Sequence, residues 1–121
     1  MEEPTLIEKQ FMFSRRLAEL IEEAYVRGYS VTMGETYRPP ETADLYAKRG
    51  IGIKNSLHCL RLAVDIQIFR DGKWLKKTED YEGLALFWES LSTTGFQCTW
   101  GGRFKSLVDP SHFSIAHNGV K

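Results

Sequence analysis

At 121 residues the chain has room for one domain, and for a hydrophobic core that closes without staples. With 16 basic residues against 16 acidic ones, 42% hydrophobic and 26% charged, it has the make-up of a soluble globular protein. A formal charge of zero gives no general pull toward nucleic acid or an anionic membrane, so neither is expected as a partner.

The acidic start, Met1-Glu2-Glu3-Pro4, leads into no apolar run of signal-peptide length, and no stretch approaches the length of a membrane span. The expectation is a protein that is cytoplasmic on synthesis, does not insert into membranes, and needs separate delivery to any substrate outside. Residues 1–12 are mixed and read as a loosely held N-terminal extension, leaving 13–121 as the domain. From Phe13 the spacing of Leu17, Leu20, Ile21, Ala24 and Tyr25 predicts a helix, with Ser14 as N-cap and Gly28 as the closing residue. Its other face, with Arg15, Glu19, Glu22 and Glu23, is a solvated surface.

Residues 30–37 read as a short strand ending at Arg38, which Pro39-Pro40 biases to an extended backbone. A short helix over 41–49 follows, with Leu45 and Tyr46 inward and Gly50 at its end. Residues 51–57 read as a loop. From 60 to 69 the chain alternates, with Leu62, Val64, Ile66 and Ile68 on one face and Arg61, Ala63, Asp65 and Gln67 on the other, which is a strand packed through its even positions. Asp71-Gly72 signals a hairpin turn with 73–76 returning antiparallel. Tyr81, Leu84, Ala85, Trp88 and Leu91 define an amphipathic helix that stops before Gly95. Strands are expected at 96–100 and 112–116, with Gly101-Gly102 turning between them. The fold class is therefore α+β, a small single domain with a central antiparallel sheet flanked by helices.

His58, Asp65 and His112 offer two imidazoles and a carboxylate, a full set of protein ligands for a zinc ion that keeps one position open for water. His58 and Asp65 are seven apart, so in one regular strand they would face opposite sides; His58 must sit in a preceding loop, or a bulge must intervene. Asp65 lies between Val64 and Ile66, where a buried, unpartnered carboxylate is costly. Either it faces solvent on a one-sided sheet or it meets something cationic. His117, beside Asn118-Gly119, reads as an exposed turn residue. Cys59 and Cys98 lie too far apart for a CxxC reading; a disulfide is open, and a reduced pair of small residues is favoured. Trp88 reads as core, and Trp100 as either core or cleft wall.

The ordered set Ser56-x-His58-x6-Asp65, Trp100-Gly101-Gly102 and Asp109-x-x-His112-Phe113, preceded by Thr36-Tyr37-Arg38, resembles the zinc D,D-carboxypeptidase family. Within it, the branch containing phage L-alanyl-D-glutamate endopeptidases is the nearest in pattern, over residues 13–117. The resemblance implies a hedgehog-like fold and a monomeric zinc (Zn2+) peptidase acting on the peptidoglycan stem peptide. It implies His58, Asp65 and His112 as metal ligands, Asp109 as the acid/base residue, Arg38 as a catalytic and substrate-binding cation, and Ser56 as a substrate contact. Relatives usually carry glycine where this chain has Arg61.

Taken as a phage or prophage endolysin, such an enzyme reaches the cell wall through a holin-type lesion. Two rivals stand beside this reading: a carboxypeptidase removing terminal D-alanine, and a non-catalytic zinc-stabilised binding module. From the residues alone, Arg38 could equally form a surface ion pair with Glu35 or Glu41, and Asp109 could simply start a turn before Pro110.

Overall fold

The computed structural model describes residues 3–50 and 56–121. Helix α1 spans Leu6–Val26, β1 Ser30–Met33, α2 Pro40–Lys48, β2 Ala63–Arg70, β3 Lys73–Leu75, α3 Thr78–Ser90, β4 Cys98–Trp100 and β5 His112–Ile115. Short 3-10 turns, Leu57–Leu60 and Gly101–Arg103, precede β2 and follow β4. The sheet runs β1-β2-β5-β4, with β3 also paired to β2, and every pairing is antiparallel. One edge of the long strand β2 thus carries β5 along its first half and β3 along its second. The expected α+β class and central antiparallel sheet are present.

Several boundaries differ from expectation. Helix α1 begins at Leu6, well before Phe13, because Thr5 and Glu8 form a reciprocal capping box: the Thr5 hydroxyl accepts from the Glu8 amide, and the Glu8 carboxylate accepts from the Thr5 amide at 2.8 Å. Ser14 lies inside the helix, its hydroxyl donating to the Phe11 carbonyl at 3.0 Å. Tyr25, expected inward, is exposed, and its hydroxyl receives the Val31 amide. In α2 the buried residue is Ala43, while Leu45 faces solvent. The correction has a simple cause: a two-turn helix on the surface has room for only a narrow inward stripe. The loop expected over 51–57 lies, for residues 51–55, outside the described residues. Both cysteines are free; Cys98 is buried, and burial pushes its thiol up to about 11.

The core joins α1 and α3 to the even positions of β2. Leu62, Val64, Ile66 and Ile68 are all buried, as the alternation requires. Trp88 on α3 is the hub. Its ring meets Phe13 of α1 and Phe113 of β5 edge-on, at 6.0 and 6.1 Å between centroids. Its indole N–H lies within hydrogen-bond reach of the Thr99 carbonyl (3.0 Å) and the Ser114 carbonyl (3.2 Å), fixing the helix to the β4–β5 pair. Replacing Trp88 with Ala should therefore destabilise the protein by about 3–5 kcal/mol, read as a lower urea midpoint. An unchanged midpoint would remove Trp88 from this role.

Candidate metal centre

The seven-residue separation of His58 and Asp65 is resolved by the turn that precedes β2. Ser56 caps Leu57–Leu60, its hydroxyl accepting the His58 amide at 3.1 Å. Arg61 then takes a left-handed conformation (φ 57°), and the chain enters β2 in a new direction. For a side chain other than glycine that conformation costs about 1 kcal/mol, so glycine would fit this position without strain. Arg61 is exposed, with its guanidinium stacked over the Tyr37 ring, 4.1 Å from the centroid.

Asp65 and His112 are direct cross-strand partners in the β2–β5 ladder, so their side chains leave the sheet on the same face. The backbone of Asp65 is pinned from the other edge by the chain just past β1: its amide donates to the Glu35 carbonyl at 2.9 Å, and its carbonyl accepts the Gly34 amide at 2.7 Å. His58 comes over the top. Its Nε2 stands 3.3 Å from Asp65 Oδ1, and His112 Nδ1 stands 3.8 Å from the same oxygen. One candidate ligand atom from each residue lies within 4.8 Å of the others.

One hydrogen bond orients the His58 ring. Its Nδ1 lies 2.9 Å from the Thr36 carbonyl, which can only accept, so Nδ1 carries a proton and Nε2 is the nitrogen turned toward Asp65. Asp65 Oδ1 and His112 Nε2 are buried polar atoms with no hydrogen-bond partner among the described residues. The oxygen sits between two imidazole nitrogens able to act as ligands, so the donor set fits a divalent cation bound through oxygen and nitrogen. Burial alone would raise the Asp65 carboxyl, but the two imidazoles beside it, of His112 and His58, together hold it well below the usual carboxylate range. Burial pulls the His58 imidazole down; the neighbouring Asp65 carboxylate, helped by the Thr36 carbonyl, outweighs it, and the net shift is upward.

His58 and His112 line a cleft of about 360 Å3, with Asp65 packed against both, and the cleft is bordered also by Arg38, Ser56, Asp109 and a wall from Phe104 to Leu107. Asp109 is placed by its surroundings. Its amide donates to the Gly101 carbonyl (3.0 Å), its carbonyl accepts the His112 amide (3.2 Å), and its carboxylate accepts the Ser111 hydroxyl (3.0 Å). Trp100 is buried in the core, yet its indole N–H reaches the Pro110 carbonyl at 2.7 Å and so ties down the same loop. Gly101 is needed here for close approach: a Cβ at this position would collide with the Asp109 carbonyl and come within 2.8 Å of His112 Cβ. Arg38 is ion-paired with Glu35 and lies over the Tyr46 ring at 5.0 Å, so the pair with Glu35 that stood as the alternative to a role in the site does form, and the same Arg38 lines the cleft.

Every residue expected at the site is thus found in or beneath this one cleft. The sequence reading did not identify Glu35 as the residue that holds both Arg38 and the backbone of Asp65, or Thr36 as the group that orients His58. The only signal for either was position beside Arg38. The wall from Phe104 to Leu107 had no signal at all. His117, expected to be an exposed turn residue, is half-buried and bonded to Lys9.

A His–Asp–His group beside a cleft, on a small α+β domain, defines the class: a candidate metal-centred hydrolase. A family model described as D-alanyl-D-alanine carboxypeptidase matches residues 49–115, more than half the chain, and the protein belongs to that peptidase family. Among solved structures it is similar to one described as Serratia marcescens L-Ala D-Glu endopeptidase ChiX, with a TM-score of 0.67 and 22% identity over 84% of this chain and 79% of that one. That likeness establishes the shared fold. A comparison with curated protein sequences found no match.

The electrostatics give a sign for the metal-free protein. A histidine raised on folding contributes stability that is fully present below its unfolded pKa, about 6.5, and is lost as pH rises through the folded value. The depressed Asp65 contributes above the ordinary carboxylate range and fades only in stronger acid. With chelator present, Tm should fall as pH rises above about 6.5, and Asp65→Asn should flatten that fall; an equal slope in both proteins would dissociate it from this pair. Gly101→Ala should lower stability by about 1–3 kcal/mol in urea denaturation, because the Asp109 loop must move. A neutral result would show that the close approach is not required.

Proposed function

We propose that this protein is a zinc-dependent peptidoglycan peptidase that hydrolyses an amide of the stem peptide, with the L-alanyl-D-glutamate bond as the target. The observation that carries this is the convergence of His58 Nε2 and His112 Nδ1 on Asp65 Oδ1, with both histidines lining a cleft that also holds Asp109 and Arg38. The description of the Serratia structure favours the endopeptidase bond, and the description of the family model favours the second reading, removal of a terminal D-alanine.

In this reading His58, Asp65 and His112 hold the zinc ion. When bound, it supplies polarisation of the scissile carbonyl and acidifies a water toward neutrality. Asp109 accepts the proton of the attacking water and returns it to the leaving amine, steps for which its anchored loop keeps the carboxylate facing the cleft. Arg38 offsets negative charge developing on the carbonyl oxygen or grips a substrate carboxylate, and its pairing with Glu35 fixes the guanidinium beforehand. Ser56 holds the His58 turn while lining the same cleft, so substrate contact and support fall on one residue. The protein acts as a monomer, and an endolysin role with export through a membrane lesion belongs to the same proposal.

The test is a digest of purified peptidoglycan with products identified by mass spectrometry. Cleavage should release new N-terminal D-glutamyl peptides, stop with chelator, and return with zinc. Asp109→Asn should keep its zinc and lose at least about 100-fold in rate. Released D-alanine instead would establish the carboxypeptidase reading, and full activity in Asp109→Asn would remove Asp109 as the base.

A further inference from the structure

Away from the metal centre, Lys9 of α1 is nine-tenths buried, with 5% of its surface exposed, at the wall of a second cavity of about 550 Å3. An ammonium has three donors. The described contacts of this one are His117 Nδ1 at 3.1 Å and the exposed carboxylate of Glu3, at 4.0 Å, beyond hydrogen-bond reach. A buried cation with donors to spare is costly unless an anion completes it.

His117 adds a second donor. Lys9 has no lone pair to offer, so His117 Nδ1 accepts, and the neutral ring carries its proton on Nε2. Burial and the neighbouring Lys9 charge lower the His117 pKa and keep the ring in that neutral form. Asn118 borders the same cavity with an amide side chain.

We propose that the cavity between the start of α1 and the segment after β5 is an anion-binding site, in which Lys9 and His117 grip a carboxylate or phosphate group. Glu3, at the rim, shows the kind of charge the site accepts without filling it. Lys121 borders both this cavity and the cleft beside His58 and His112. The site does not depend on the peptidase reading, since its occupancy is measured without catalysis.

The experiment is a titration of the full chain, followed through the backbone amide resonances of Asn118 and Gly119 at the cavity wall, with acetate and inorganic phosphate as separate probes. Saturable shifts are expected with at least one of them, and the tighter probe names the chemistry. Lys9→Met, which keeps an apolar stem in the buried position, should weaken binding at least tenfold, and His117→Gln should weaken it less, because an amide N–H can still donate. Should Lys9→Met fail to fold, His117→Phe, which removes the donor, serves in its place with the same tenfold expectation. No saturable shift with either probe, or unchanged affinity in the folded variant, would overturn the site. Loss of peptidoglycan hydrolysis with anion binding intact would count against the peptidase reading alone.

Discussion

Asp65 and His112 face one another across the β2–β5 ladder, and a slip of that ladder by one residue would send one of them to the opposite face. The register is held from the core side. Val64 lies opposite Phe113 in the same ladder; Phe113 and Ile115 are fully buried, and the Phe113 ring meets that of Trp88. Exposing side chains of that size costs about 1.5–3 kcal/mol each. The packing of one face of the sheet therefore sets the chemistry of the other, and the cleft inherits its precision from residues that never reach it.

Much of this was legible because a strand repeats every two residues. The alternation from Leu62 to Ile68 placed Asp65 on the face away from the core, and Asp71-Gly72, both at positive φ, closed the hairpin as expected. Parity also required that His58 lie outside the regular strand, and the 3-10 turn with its left-handed Arg61 is how the chain meets that requirement. What stayed illegible depends on contacts between distant or irregular segments. Nothing in the local pattern shows that the Glu35 carbonyl holds the Asp65 amide, or that Thr36 directs a ring 22 residues away. The early start of α1 was hidden for a different reason: its capping box precedes the regular apolar spacing by two turns.

Glu35 joins two parts of the cleft through different atoms. Its main-chain carbonyl fixes Asp65, and its side chain fixes Arg38, whose own amide donates to the His58 carbonyl at 3.1 Å. Arg38 is thereby positioned relative to both sides of the His–Asp–His group by main-chain hydrogen bonds as well as an ion pair. Engaging one carboxylate leaves the fork with unused donors, so Arg38 can still meet a ligand while its conformational freedom has already been given up in folding.

Buried polar atoms without partners are rare in folded proteins, and their location is informative. Among the described residues three side-chain atoms are in that state, and two of them, Asp65 Oδ1 and His112 Nε2, belong to the His–Asp–His group; the third is Arg16 Nε. A sequence selected only for stability would replace the buried carboxylate by an apolar side chain, which often equals or exceeds the stability of a buried charged group. Here the opposite holds: the most regular strand of the sheet, with buried Val64 and Ile66 on either side, carries an aspartate whose charge is maintained by two imidazoles. The imidazoles compensate the charge without satisfying the oxygen between them. Local inconsistency of this kind, set inside a framework that is otherwise consistent from capping to core, is the pattern expected where stability is traded for binding. A cation at that oxygen would satisfy it and draw on both ring nitrogens, so that the ligand would stabilise the strand that carries it.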